Sequence, residues 1–206
     1  MKRRMKWLYL VIAIVLMALI EKNMSYWPKS FFKIILFLVF PYFIFQPKYD
    51  YTKIKISKTA KYLSLAVVIS IILGYFILDN FIDFDPIRFQ LNHMMGIKKN
   101  NFIWIAIYIS FINAAVEEFF FRAVYYLEEA NNRNTLVSAL AFAIYHISIM
   151  DTWLSLPLLI LGTGGLLLVG IVFNSLTLEN ESIYSSYFVH LIANLTLNSI
   201  AFFFIL

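Results

Sequence analysis

Apolar residues fall into seven runs: Trp7 to Ile20, Phe31 to Phe45, Tyr62 to Leu78, Phe102 to about Leu127, Thr135 to Met150, Leu154 to about Leu176, and Tyr184 to Leu206. A membrane-spanning helix needs about 20 predominantly apolar residues, so the pattern predicts an all-α fold. The expected form is a polytopic membrane helix bundle of about seven transmembrane helices, with six and eight as the neighbouring counts. Connections are short, and the chain reads as one integral-membrane domain over residues 1–206. The second run is the weakest, because it is short, holds Pro41 and is followed by Pro47; proline removes a backbone donor and kinks a helix. Between the third and fourth runs, Asp79 to Asn101 alternates acids with Phe81, Phe84, Phe89, Leu91 and Met94, the pattern of an interfacial segment.

Composition excludes a soluble globular reading. Of 206 residues, 62% are hydrophobic and 14% charged, with mean hydropathy +0.78, against roughly 45–50% apolar and about a quarter charged in soluble domains. The lipid bilayer is therefore the first expected partner.

Charge placement suggests an orientation. Twelve of the 17 Lys and Arg lie at or before Lys61, opposed only by Glu21 and Asp50; that part carries net +10 and the rest −5. These basic residues flank apolar runs at the chain start and in the loop from Pro47 to Lys61, which fits the positive-inside rule better than nucleic-acid binding. An amino terminus on the cytoplasmic side of the cell membrane and two crossings before that loop are expected. The start, a basic Met1 to Lys6 and then a 14-residue apolar run, has the look of a secretory signal, but Leu16-Met-Ala18 lacks a small-x-small cleavage site, so an uncleaved first span is expected. With no cysteine, disulfides, thiolate nucleophiles and cysteine-based zinc sites are excluded.

Ionisable groups inside spanning helices are costly and normally mark function. The fourth run carries Asn113-Ala-Ala-Val-Glu117-Glu118-Phe-Phe-Phe-Arg122, the fifth His146, and the seventh His190 followed at four-residue steps by Asn194 and Asn198. The bland alternative has Arg122 snorkelling at a helix end and each histidine making a helix-helix hydrogen bond. Phe119, Phe120 and Phe121 are an odd choice for a solvated terminus. On a helix Glu118 and Arg122 share a face at i,i+4, whereas Glu117, about 100° away, has no cation at i+4 and Asn113 at i−4. An unpaired carboxylate in low dielectric is the stronger base, which makes Glu117 the candidate general base. At 1.5 Å rise per residue, Glu117, His146 and His190 reach overlapping depths in the cytoplasmic half. His93, in the interfacial segment, reads as an ordinary exposed or packing histidine, and the glycines Gly162, Gly164, Gly165 and Gly170 of the sixth run read as helix-packing positions.

Glu117-Glu118-x-x-x-Arg122, then Phe142-x-x-x-His146, then His190-x-x-x-Asn194, in that order along the chain, resembles the CPBP (CAAX protease and bacteriocin-processing, or Abi) family of intramembrane proteases. The resemblance covers about Glu117 to Asn194, and the catalytic core is expected over about 102–206. It implies that Glu117 activates water, that Glu118 and Arg122 support it, and that His146, His190 and Asn194 complete the site. Phe121 fits the usual motif, while Ala123 stands where a glycine is often found. The implied reaction is hydrolysis of a peptide bond in a hydrophobic or membrane-bound peptide. One zinc ion, held by two histidines and a carboxylate, stays open; a metal-free mechanism is slightly favoured. Two rivals remain. One is a non-catalytic membrane protein, such as a bacteriocin self-immunity factor or binding scaffold. The other is a small transporter with a proton relay, for which inverted repeats would be expected and none is seen.

Overall fold

The computed structural model describes residues 2–47, 50–80, 84–94, 96–127, 135–151 and 154–206. Their regular structure is all helical, with no strand among them: α1 (Lys2–Asn23), α2 (Tyr26–Phe45), α3 (Lys58–Leu78), α4 (residues 85–94), α5 (Lys99–Val124), α6 (Thr135–Met150), α7 (Leu156–Glu179) and α8 (Tyr184–Ile205). Among the described residues α2, α3, α5, α7 and α8 are long and apolar enough to cross a membrane; α6 is a shorter apolar helix, and α1 is 22 residues long with charged ends. The polytopic membrane bundle read from the runs is the observed architecture.

The second run is longer than its apolar stretch. The helix begins at Tyr26, with Pro28 in the first turn, where a missing N–H costs nothing. Ahead of Pro41 the chain widens into a π turn over Ile35–Val39 in which Phe40 N–H bonds Ile35 O. The wide turn absorbs the proline as a local change of register. The helix then stops at Gln46, which takes the left-handed conformation (φ 46°), followed by Pro47.

Contacts between helix ends define two sides. On one, Tyr125 Oη donates to Lys6 O (2.9 Å), Ser182 Oγ to Lys53 O (2.8 Å) and Tyr184 Oη to Tyr51 O (2.8 Å), while Ser57 N donates to Ser185 Oγ (3.0 Å). On the other, Lys22 pairs with Asp151 (2.7 Å) and Arg88 Nε donates to Ile205 O (2.6 Å). The basic loop before α3 thus lies on the same side as the start of α1. In the interfacial segment, Phe81 lies outside the described residues, the side chain of Met94 likewise, and His93 is exposed with its ring 4.6 Å from that of Phe89.

Helix α5 is the centre of the bundle. Half of its apolar stretch is buried, against 6% for α3. Phe37 of α2 stacks on Phe120 with ring centroids 4.0 Å apart, and Phe121, Phe142 and Tyr145 close around them. Helices α6 and α7 meet at Gly170, where an added Cβ would stand 2.9 Å from Ala139 Cα; Gly164 and Gly165 have open space around theirs. Of the four glycines of α7, Gly170 makes the close approach.

Candidate active site

The polar sequence of α5 sits on an irregular helix. Ala114–Glu118 is a short α-helical stretch between π turns at Tyr108–Asn113 and Phe119–Val124. Such wide turns rotate the face that the next helical turn presents, and they recur at functional sites. Phe119, Phe120 and Phe121 are all buried, and Arg122, Glu117 and Glu118 are 0%, 1% and 0% exposed. Arg122 therefore does not snorkel. Its guanidinium pairs with Glu118 (3.3 Å) and lies over the rings of Phe142 (4.4 Å) and Phe173 (5.1 Å), a weakly hydrated cation held by π faces.

The two carboxylates face different partners but share one imidazole. His190 Nδ1 lies 3.0 Å from Glu118 Oε1, and its Nε2 lies 3.8 Å from Glu117 Oε2. His146 Nε2 lies 3.7 Å from the same Glu117 Oε2, and its Nδ1 is 2.7 Å from Phe142 O. A carbonyl oxygen only accepts, so His146 carries its proton on Nδ1; Glu118, paired with Arg122, accepts from His190 Nδ1 in the same way. Both Nε2 atoms then face Glu117 Oε2, a buried oxygen with no hydrogen-bond partner among the described residues. Contacts of 3.7–3.8 Å are too long for hydrogen bonds, and a water bonded to these atoms sits beside the contacts, toward the cavity, rather than between them.

Glu117 differs from the sequence expectation in one respect. It has no cation at i+4, yet it is not unpaired: Lys33 Nζ from α2 ion-pairs with Glu117 Oε1, and Asn113 Nδ2 donates to the same oxygen (3.0 Å). The absent i+4 partner is replaced through space by a helix more than 80 residues earlier. Asn194 lines the same cavity, but its amide donates to Ile109 O (3.1 Å), away from the carboxylates; Asn198 bonds Ser110 Oγ (3.2 Å). The structure thus brings Glu117, Glu118, Arg122, His146 and His190 into one cluster, with Asn194 on the wall beside it.

The cluster forms the inner end of a cavity of about 460 Å³ whose lining includes Glu117, His146, His190 and Asn194, and further out Leu91, Ile97 and Ile205. These last residues belong to the Lys22–Asp151 side of the bundle. The Lys29–Glu21 pair and Ser30 also line the cavity, and a mostly apolar pocket with a few placed polar groups is the usual form of a site that orients a hydrophobic ligand.

The donor chemistry resembles a zinc site, since two imidazoles with anchored Nδ1 atoms face a carboxylate. The spacing does not: tetrahedral ligands about 2.0–2.1 Å from zinc stand roughly 3.4 Å apart, and no group of three His, Cys, Asp or Glu among the described residues is arranged to hold a metal ion. As placed, the His146 and His190 contacts to Glu117, at 3.7 and 3.8 Å, are wider than that.

Lys33 is the site residue that the sequence pattern hides, because it sits at the edge of the weakest run and resembles the other basic flanks. An ionisable residue between Phe32 and Ile34 is the signal that could have found it.

Comparison with known proteins adds a family to this geometry. No curated protein and no solved structure matches the chain. The family model described as type II CAAX prenyl endopeptidase, Rce1-like, matches residues 99–196, the stretch from the first turn of α5 through Asn194. The part of this integral membrane protein that carries Glu117, Glu118, Arg122, His146, His190 and Asn194 is thus the part that is similar to the Rce1-like type II CAAX prenyl endopeptidases.

Proposed function

We propose that the protein is an intramembrane endopeptidase that hydrolyses a peptide bond of a membrane-associated peptide with a glutamate-activated water. The observation that carries this reading is Glu117 Oε2, buried, without a hydrogen-bond partner among the described residues and faced by His146 and His190 at water-bridging distance. A water there donates one hydrogen to Glu117 and another to an imidazole Nε2, leaving a lone pair for the scissile carbonyl. As the O–C bond forms, the water proton passes to Glu117 and the carbonyl π pair moves to oxygen. Collapse of the tetrahedral intermediate breaks the C–N bond, and the proton on Glu117 leaves with the amine. Glu118 and Arg122 act on His190, fixing the ring and its tautomer. The Asn194 amide, on the cavity wall, is the candidate donor to the developing oxyanion.

The substrate class is drawn from the cavity, whose apolar walls admit a hydrophobic chain to the cluster. The protein is proposed to lie in the cell membrane with its amino terminus cytoplasmic and seven crossings, so that a reporter fused after Leu206 is active on the outside; cytoplasmic activity would mean an even number of crossings. The test of function compares membrane-peptide profiles of cells expressing wild type and Glu117→Gln. A cleavage product present only with wild type, and still formed after chelation of divalent metals, is expected. Identical profiles would favour a binding scaffold, and loss on chelation a metal-dependent site.

A further inference from the structure

The family match begins at residue 99, yet one wall of the cluster comes from α2. Lys33 is 5% exposed, its ammonium lies 4.7 Å from the Tyr145 ring centroid, and it contacts two acceptors at once, Glu117 Oε1 and Asn113 Oδ1. The Asn113 amide is used at both ends: its oxygen accepts from Lys33 and its nitrogen donates to Glu117 Oε1. Both donors to the Glu117 carboxylate therefore converge on Oε1, and Oε2 is left to the imidazoles. One turn earlier on the same helix, Lys29 is engaged separately with Glu21, so the two lysines have distinct anions.

We infer that Lys33 is a positioning residue for Glu117: with Asn113 it locks Oε1, neutralises the carboxylate, and so aims Oε2 at the water site. The inference rests on the proposed role of Glu117 as base, and it extends the active site to a helix outside the family-matched stretch. Without Lys33 a buried carboxylate loses its counter-charge and one of its two donors, and it is free to turn about its last side-chain torsion. Arginine keeps the charge but not the shape, because its planar fork is bulkier than an ammonium.

The experiment uses the purified full-length protein and two readouts. The infrared difference between wild type and Glu117→Gln isolates the Glu117 carboxyl band, which needs no substrate. The second is cleavage of the membrane peptide identified by the profile comparison. In Lys33→Met the Glu117 band is expected to change from ionised carboxylate to protonated carboxyl, and cleavage to fall at least about 100-fold, the loss typical of a disabled general base. Lys33→Arg is expected to keep the ionised band at a shifted frequency and to recover part of the cleavage. A Lys33→Met protein with an unchanged Glu117 band, or cleaving within about threefold of wild type when general-base losses begin near 100-fold, overturns the inference. If Lys33→Met does not accumulate, Lys33→Arg decides by itself: a shifted band supports direct contact with Glu117, an unshifted one refutes it. Should wild type cleave nothing, the protease reading fails while the infrared result still settles the role of Lys33.

Discussion

Helices α3 and α5 are of similar length and both are apolar enough to span a membrane, but they occupy opposite environments. In α3 the apolar stretch is 6% buried, and Tyr62, Leu65, Ile69, Leu73 and Phe76 are exposed at 76, 61, 50, 55 and 53%. In α5 the corresponding figure is 50%, and its last third encloses two carboxylates and a guanidinium. Hydropathy counts only transfer from water, and lipid tails are as apolar as a protein interior, so it cannot separate an outer helix from a central one. What separates them is polarity that lipid cannot solvate: α5 tolerates Glu117, Glu118 and Arg122 because neighbouring helices supply Lys33, His146, His190 and the rings of Phe142 and Phe173.

That contrast is tested most severely at the carboxylates. Glu117→Gln is expected to abolish cleavage, a loss of at least about 100-fold, while leaving insertion and helix content intact, since the change is isosteric. His146→Ala and His190→Ala should each cut cleavage severely, and the double variant should be scarcely worse than either, because members of a catalytic unit are not additive. Near-normal cleavage by both single variants would return the histidines to helix-helix hydrogen bonding.

Glu118→Gln should behave differently from Glu117→Gln, although the residues are adjacent. It leaves Arg122 buried with its charge uncompensated, and breaking such a pair costs about 3–5 kcal/mol. Reduced accumulation and a lower unfolding midpoint are expected besides lost activity. Equal accumulation of the two glutamine variants would remove Glu118 from its supporting role.

Most helices were legible in the sequence because their runs are long and continuous; α2 was legible only in part, since it begins at Tyr26, ahead of the short run from Phe31 that holds Pro41. The Glu118–Arg122 pair was legible too, because i,i+4 proximity is local. Two features were not, for physical reasons. The π turns on either side of Ala114–Glu118 have no residue pattern of their own, and they alter which faces meet, so a fixed 100° step did not reveal that His190 reaches both carboxylates through its two nitrogens. The Lys33–Glu117 pair joins residues 84 apart, and nothing along the chain pairs a charge with a distant one. Burial of Phe119, Phe120 and Phe121, by contrast, was readable, since three aromatics beside an arginine make no sense in water.

Packing between helices supplies a smaller test within one element. Gly170→Ala forces a Cβ to 2.9 Å from the Ala139 backbone, where the neighbour cannot rotate away, so α6 and α7 must separate; overpacking of this kind costs about 1–3 kcal/mol. Gly164→Ala on the same helix meets nothing within 4 Å and gains helix propensity of up to about 1 kcal/mol. Thermal unfolding in detergent should move in opposite directions for the two. A shared direction would mean that Gly170 is not the contact that sets the approach of α7.

The smallest effect is expected on α3. Leu65→Ala and Ile69→Ala remove side-chain atoms that touch lipid rather than protein, and lipid fills the space, so no cavity forms. Substitutions away from packed features usually stay within about 0.5 kcal/mol, and cleavage should be unchanged because no α3 residue lines the cavity. Ala60, fully buried at the start of the same helix, provides the internal control: its face packs against Phe173, Leu176 and Val189, so Ala60→Leu overfills a closed contact and should cost about 1–3 kcal/mol. If the exposed pair proved as sensitive as Ala60, α3 would be covered by protein in the membrane, and its outer face would be an interface rather than a lipid surface.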